Sequence, residues 1–280
     1  MKIGLVLEGG GMRGLYTAGI LDAMLDKNFQ VNGIIGVSAG ALFGVSYVSK
    51  QRGRSLRYNQ KYASDPRYMS FKSLITTGNF VNKDFAYYEL PLKLDIFDEE
   101  SFSKSKTDFY ATVTNVETGK PEYLKIINAT IQIEELRASS SLPFCSKIVK
   151  INDKLYLDGG ISDAIPVNKC LEMGYDKVIV ITTRPLNYRK TKSNQLLPKI
   201  FYHRYPNFVK AINTRYQRYN DTLDQLQELE KQNKIFVIRP SKLIKINRLE
   251  KNPDKMQEIY NLGLQDFQDN YQALQKYLKK

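Results

Sequence analysis

The sequence predicts a layered α/β domain. Short β-branched runs recur between stretches of helical period, and two of these runs end in glycines. Hydrophobic content is 42% and charged content 25%, ordinary values for a globular chain. A length of 280 residues is enough to bury one large core.

Residues 2–8 read as a strand buried on both faces. Residues 14–26 repeat Leu15, Ala18, Leu21 and Leu25 at helical spacing. A second buried strand spans 32–37, and a helix spans 39–49. Residues 55–105 are mixed, aromatic and without clear period; they supply helices, loops and a lid. Residues 108–116 alternate like a strand, and 123–127 pair with them across a hairpin turn at Glu117, Thr118 and Gly119. Residues 130–139 suit a helix. A short strand at 154–157 ends in Asp158-Gly159-Gly160, and 176–183 form a β-branched buried strand. One long polar helix is expected over 206–232, a last strand over 234–239, and an amphipathic helix over 253–278 with Pro253 in its first turn. The expected division is a main α/β unit at 3–183 and a basic helical extension at 184–280. The extension carries one strand and packs on the same domain.

Composition narrows the function classes. Cys145 and Cys170 make no disulfide framework, and His203 is the single histidine, which removes most histidine metal sites. The apolar start, 3–7, is too short for a signal peptide, and the apolar run 33–48 is too short for a membrane span. The expected location is cytoplasmic, peripheral to a membrane at most. Net charge is +13 and uneven: 177–220 holds ten Lys or Arg and no acid. Such a surface attracts anionic partners. No nucleic-acid module is recognisable, so an anionic membrane is the expected partner and nucleic acid is not.

The chemistry concentrates in Gly36-Val37-Ser38-Ala39-Gly40. This GxSxG lies between a strand and a helix, the setting of a nucleophile elbow. The residues two before and two after Ser38 must be tiny, and Gly36 and Gly40 are. A serine needs a base. His203 lies in a basic aromatic segment with no strand to hold it, so the base is expected to be a carboxylate. Asp158, at a strand end before two glycines, is the best candidate; Glu8, Asp153 and Asp163 compete. The run Gly9-Gly10-Gly11-Met12-Arg13-Gly14 also fits the dinucleotide spacing GxGxxG. A dinucleotide site wants an acid at the end of the second strand. That strand ends instead in Gly36-Val37-Ser38, so the glycine amides read as an oxyanion hole beside a serine.

These three motifs, in this order, together with Ala138-Ser139-Ser140-Ser141-Leu142-Pro143-Phe144, resemble the patatin-like phospholipase family over residues 3–183. The resemblance implies a three-layer α/β/α sandwich with a mostly parallel sheet and a Ser–Asp dyad without histidine. It implies Ser38 as acyl nucleophile and Asp158 as its base. The amides of Gly10 and Gly11 within the run Gly9 to Gly14 form the oxyanion hole, and Arg13 steadies the loop. The turns are set by Gly36, Gly40, Gly159 and Gly160. The implied substrates are fatty acyl esters of phospholipids, lysophospholipids or neutral lipids, cleaved with no cofactor and no metal. Two other readings stay open: a non-catalytic lipid-binding protein of the same fold, and a dinucleotide-binding protein. Headgroup, acyl length and oligomeric state carry no signal in the sequence.

Overall fold

The apolar residues Ile3–Leu7 form β1, buried along its whole length in the computed structural model, which describes residues 1–247 and 249–279. A tight 3-10 turn, Gly11–Gly14, leads into α1 (Leu15–Asp26). Next come β2 (Gly33–Val37) and α2 (Ala39–Val48). The stretch without period resolves into α3 (Arg54–Tyr62), α4 (Phe71–Thr77), a wide π-helical segment at Asp84–Leu94, and α5 (Glu99–Ser103).

The hairpin follows as β3 (Asp108–Asn115) and β4 (Pro121–Ile126), closed by Asn115, whose Oδ1 accepts from the amides of Glu117 and Thr118. Then come α6 (Ile133–Ser140), β5 (Val149–Ile151), β6 (Lys154–Asp158), the 3-10 turn Gly159–Ile161, α7 (Val167–Glu172) and β7 (Lys177–Ile181). The chain ends with α8 (Leu196–Phe201), α9 (Pro206–Asn213), α10 (Arg215–Lys231), β8 (Ile235–Ile238) and α11 (Pro253–Lys279).

Strands β3, β2, β1, β7 and β8 lie side by side and parallel. Side chains alternate across this sheet, as strand geometry requires. Leu5, Leu7, Ile34 and Ile179 face α1, α2 and α11, whereas Val6, Ile35, Val178 and Val237 face α7 and α10. The result is a three-layer α/β/α sandwich with a mostly parallel sheet.

The register at β3 decides where the site forms. β4 runs antiparallel along Phe109–Thr114 on one edge, and β2 runs along Asp108–Thr112 on the other. β6 is antiparallel to β3 and pairs Asp158 with Val113, directly beyond the point where Val37 pairs with Thr112. β4 already occupies its own edge at Val113, so β6 takes over the β2 edge. The ends of β2 and β6 therefore meet head to head.

The expected helix over 206–232 is two helices. It breaks at Thr214, whose hydroxyl donates back to the Lys210 carbonyl at 2.8 Å. The Arg218 guanidinium takes the Ala211 carbonyl that the next turn of a continuous helix would use. Strand β8 belongs to the main sheet, and α11 crosses α1 closely. A Cβ on Gly19 would lie 2.1 Å from the Tyr260 carbonyl, and one on Gly263 would lie 2.1 Å from that of Tyr16. Two buried pairs lock this crossing: Tyr16 donates to Asp266 at 2.9 Å and Tyr260 to Asp22 at 2.8 Å.

Candidate active site

Ser38 is the single residue between β2 and α2, and its backbone has φ 54° and ψ −122°. A non-glycine residue held there stores strain of about 1–3 kcal/mol. The neighbours enforce it. A Cβ on Gly36 would lie 2.6 Å from the backbone of Ala41, and one on Gly40 would lie 2.6 Å from the Leu7 carbonyl. Only glycines let helix and strand come so near. The Ser38 amide donates to Ser139 Oγ at 3.0 Å, and Ser139 Oγ donates to the Thr112 carbonyl at 2.7 Å. The N-terminus of α2, with its partial positive charge, begins at the next residue.

Asp158 arrives from the opposite direction at the end of β6. Its amide donates to the Ser141 carbonyl at 2.8 Å, and its carbonyl accepts from Thr114 Oγ1 at 2.8 Å. Its Oδ1 accepts from the Gly160 amide at 2.7 Å, which fixes the carboxylate plane. Its Oδ2 accepts from Ser38 Oγ at 2.6 Å. Ser38 is 9% exposed and Asp158 only 2%. This arrangement can take the serine proton and return it without a third group. Gly159 is required by packing, since a Cβ there would lie 2.2 Å from the Thr112 carbonyl.

The glycine run lies against this pair. A Cβ on Gly9 would meet Ser38 Cβ at 2.9 Å, and Gly11 turns the loop with φ 57°, a value open to glycine. Gly9, Gly10, Gly11 and Arg13 border the same small cavity as Ser38 and Asp158. Gly14 closes the same turn but does not border this cavity. It sits behind the loop, where a Cβ would meet Ala39 and Phe43, so the spacing Gly9, Gly11, Gly14 does not form one continuous cradle.

The competing acids are engaged elsewhere. Glu8 is buried beside the dyad and accepts from the Tyr219 hydroxyl, the Thr183 amide and Thr183 Oγ1, joining β1 to β7 and α10. Burial and the Glu8 carboxylate push the Tyr219 phenol up, which keeps it a donor. Asp163 accepts from the Tyr123 hydroxyl at 2.7 Å, and burial raises its carboxyl above the usual range. Asp153 is exposed and pairs with Lys150. His203 is exposed, with Nδ1 against the Ile200 carbonyl. Among the described residues no three His, Cys, Asp or Glu side chains cluster as metal ligands would.

Two cavities border Ser38. One is apolar, about 170 Å³, and is lined by residues such as Leu42, Phe43, Val81, Leu90, Ile133 and Leu136. Tyr87 also faces it, sharing a hydrogen bond with Ser140 Oγ at 2.7 Å, and burial pushes its phenol up. The other is polar, about 40 Å³, and is bordered by the glycine run and by Arg184, Lys190 and Arg215.

The family model described as patatin-like phospholipase matches residues 5–171. The chain belongs to the patatin-like phospholipase family. A second model, described as a domain of unknown function (DUF6363), matches residues 205–279 of this patatin-like chain. It is similar to the uncharacterized protein YjjU of Escherichia coli K12, 31% identical over 194 residues, covering 66% of this chain and 52% of that protein. It is also similar to lysophospholipase NTE1 of Scheffersomyces stipitis, 25% identical over 288 residues, covering 94% of this chain but 17% of that protein. The chain thus spans about half the length of one curated relative and far less of the other. Among solved structures, VipD from Legionella pneumophila matches at a TM-score of 0.48 and 13% identity, covering 97% of this chain and 67% of that one.

Several residues around the Ser38–Asp158 pair carry no local sequence signal. Tyr219 reaches Glu8 across 211 positions. Arg215 Nε donates to the Gly160 carbonyl, bracing the turn that follows Asp158. Thr114 and Ser139 look like ordinary strand and helix residues until the sheet register brings them together.

Proposed function

We propose that this protein is a serine acyl hydrolase that cleaves fatty acyl esters of phospholipids or lysophospholipids through Ser38 and Asp158. The observation that carries the proposal is the 2.6 Å hydrogen bond from Ser38 Oγ to Asp158 Oδ2 at a strained turn. Family membership and a relative named lysophospholipase support it.

In this mechanism the lipid ester carbonyl sits above Ser38. Asp158 Oδ2 takes the hydroxyl proton as Ser38 Oγ bonds to the carbonyl carbon. The amides of Gly10 and Gly11 donate to the resulting oxyanion, an interaction of about 3–4 kcal/mol in comparable sites. The proton then passes to the leaving alkoxide, and an acyl-serine remains. Water gives a proton to Asp158 and attacks the acyl carbon. The fatty acid leaves as Ser38 recovers its hydrogen. The acyl chain enters the apolar cavity, whose 170 Å³ exceeds the ~150 Å³ that encloses benzene. It therefore holds the carbons next to the ester, and a longer tail extends through the mouth.

The same reading includes docking on an anionic bilayer. Among the described residues no helix is long and apolar enough to cross a membrane. However, Phe71 and Ile75 on α4 and Leu196, Ile200 and Phe201 on α8 are exposed. A chain of contacts links the two helices. Phe71 packs on Phe80, the Phe80 amide donates to the Cys145 carbonyl, and Phe144 packs on Phe201. Lys72 and Lys199 stand within these helices.

The deciding experiment is turnover of lysophosphatidylcholine by purified protein. Ser38→Ala and Asp158→Asn should each reduce kcat by at least about 10⁴-fold with the fold unchanged by circular dichroism. Retained turnover in Ser38→Ala would reject the nucleophile.

A further inference from the structure

The run Gly9-Gly10-Gly11 has no side chains with which to fix itself, and a loose glycine backbone holds no ordered array of amides. Glu8 stands between the end of β1 and the first of these glycines. Its amide donates to the Ile181 carbonyl at 3.1 Å, which extends the pairing of β1 with β7 by one residue. Glu8 is 3% exposed. A buried carboxylate is costly unless donors meet it, and an apolar residue of similar volume serves stability as well.

Three donors do meet it, from two other elements. Thr183, two residues past β7, gives Oε2 its amide and, at 3.1 Å, its hydroxyl. Tyr219 of α10 gives Oε1 its hydroxyl at 2.6 Å. The support continues into the glycines. A Cβ on Gly10 would lie 3.0 Å from Thr183 Oγ1, and that hydroxyl lies 3.4 Å from the Gly9 carbonyl. Gly9 in turn closes on Ser38, where a Cβ would meet the serine Cβ at 2.9 Å. Tyr219, Glu8, Thr183, the glycines and Ser38 thus form one continuous chain of contacts. The outer end of that chain is itself fixed. The Tyr219 ring belongs to the apolar cluster of Val6, Ile35 and Val180, and it meets Tyr188 edge to face at 6.0 Å.

We propose that Glu8 is a positioning residue for acyl transfer: with Thr183 it holds the Gly10 and Gly11 amides where the oxyanion forms, and Tyr219 holds Glu8. Helix α10, within the segment matched to the domain of unknown function, then helps to set the reacting geometry. This deepens, and rests on, the hydrolase reading above. Oxyanion donors act within a narrow window, roughly 2.7–3.1 Å from the charged oxygen. A loosened loop therefore weakens the transition state and spares ground-state binding.

The test compares two ligands of one carbon skeleton. An alkyl trifluoromethyl ketone accepts Ser38 Oγ at its carbonyl carbon; the proton passes to Asp158 and the carbonyl pair becomes an oxyanion. The corresponding trifluoromethyl alcohol cannot accept the serine. Tyr219→Phe removes one hydroxyl and keeps the ring in its cluster. It should weaken the ketone about tenfold and the alcohol less than about twofold, and lower kcat for p-nitrophenyl butyrate about tenfold with KM little changed. Thr183→Val should act in the same direction, and Thr183→Ser should regain most of the loss. Glu8→Gln should lower kcat about 100-fold. Tyr219→Phe added to Glu8→Gln should cost less than about twofold more, because the two groups act as one unit. Should Glu8→Gln fail to fold, Tyr219→Phe and the Thr183 pair decide. Equal weakening of ketone and alcohol, or an unchanged kcat in Tyr219→Phe while the wild-type protein is active, would overturn the proposal. A wild-type protein that neither turns over esters nor prefers the ketone to the alcohol would reject the hydrolase reading, and this inference with it.

Discussion

The two cavities that meet at Ser38 differ in almost every respect. The apolar one is built by side chains of α2, α3, α6 and the segment between α4 and α5. The polar one is built by backbone of the glycine run and by cations that follow β7 or stand on α10. A phospholipid ester has the same asymmetry, with hydrocarbon on one side of the carbonyl and a charged headgroup on the other. In the proposed reading the ends of β2 and β6 supply the reacting atoms. In that reading what approaches them is decided by the two cavities, one on each side.

That comparison can be sharpened on the apolar side first. Leu42 is half-buried on α2 and faces the cavity. Leu42→Trp should reduce kcat/KM for a p-nitrophenyl laurate about tenfold relative to p-nitrophenyl acetate, the loss of a few buried methylenes. A shift in headgroup preference instead, with acyl-length preference unchanged, would break the division of labour. A smaller effect is expected farther out. The double substitution Ile200→Ser and Phe201→Ser should weaken co-sedimentation with phosphatidylglycerol vesicles about fivefold, by withdrawing part of two apolar side chains from the interface. Binding that ignores both this change and added salt would remove α8 from the docking face.

The elbow was legible in the sequence because its demands are local. Gly36, Ser38 and Gly40 sit within one strand-turn-helix unit, and each glycine answers a backbone approach under 3 Å. Asp158 was legible for a similar reason, as a carboxylate at the end of an apolar strand before two glycines. Gly14 was grouped with the oxyanion loop as part of the glycine run; it lies in the same turn without bordering the small cavity, and a run of glycines does not say which face of a turn each one occupies. The break at Thr214 was hidden because it depends on Arg218 reaching carbonyls of Ala211 and Ile161. The stretch 55–105 showed no period because Tyr58, Met69, Val81, Leu90 and Phe97 are arranged around a cavity and not along one helix face. The role of α10 was invisible for the same non-local reason: Tyr219 and Arg215 matter only once β1 and β6 end beside them.

The most direct measurement is covalent labelling with a fluorophosphonate followed by mass mapping, because it needs the nucleophile, its base and the oxyanion site together. The expected result is a single adduct on Ser38, absent in Ser38→Ala and strongly reduced in Asp158→Asn. An adduct on another residue, or labelling undiminished in Asp158→Asn, would contradict the assignment of these two side chains as the reacting pair.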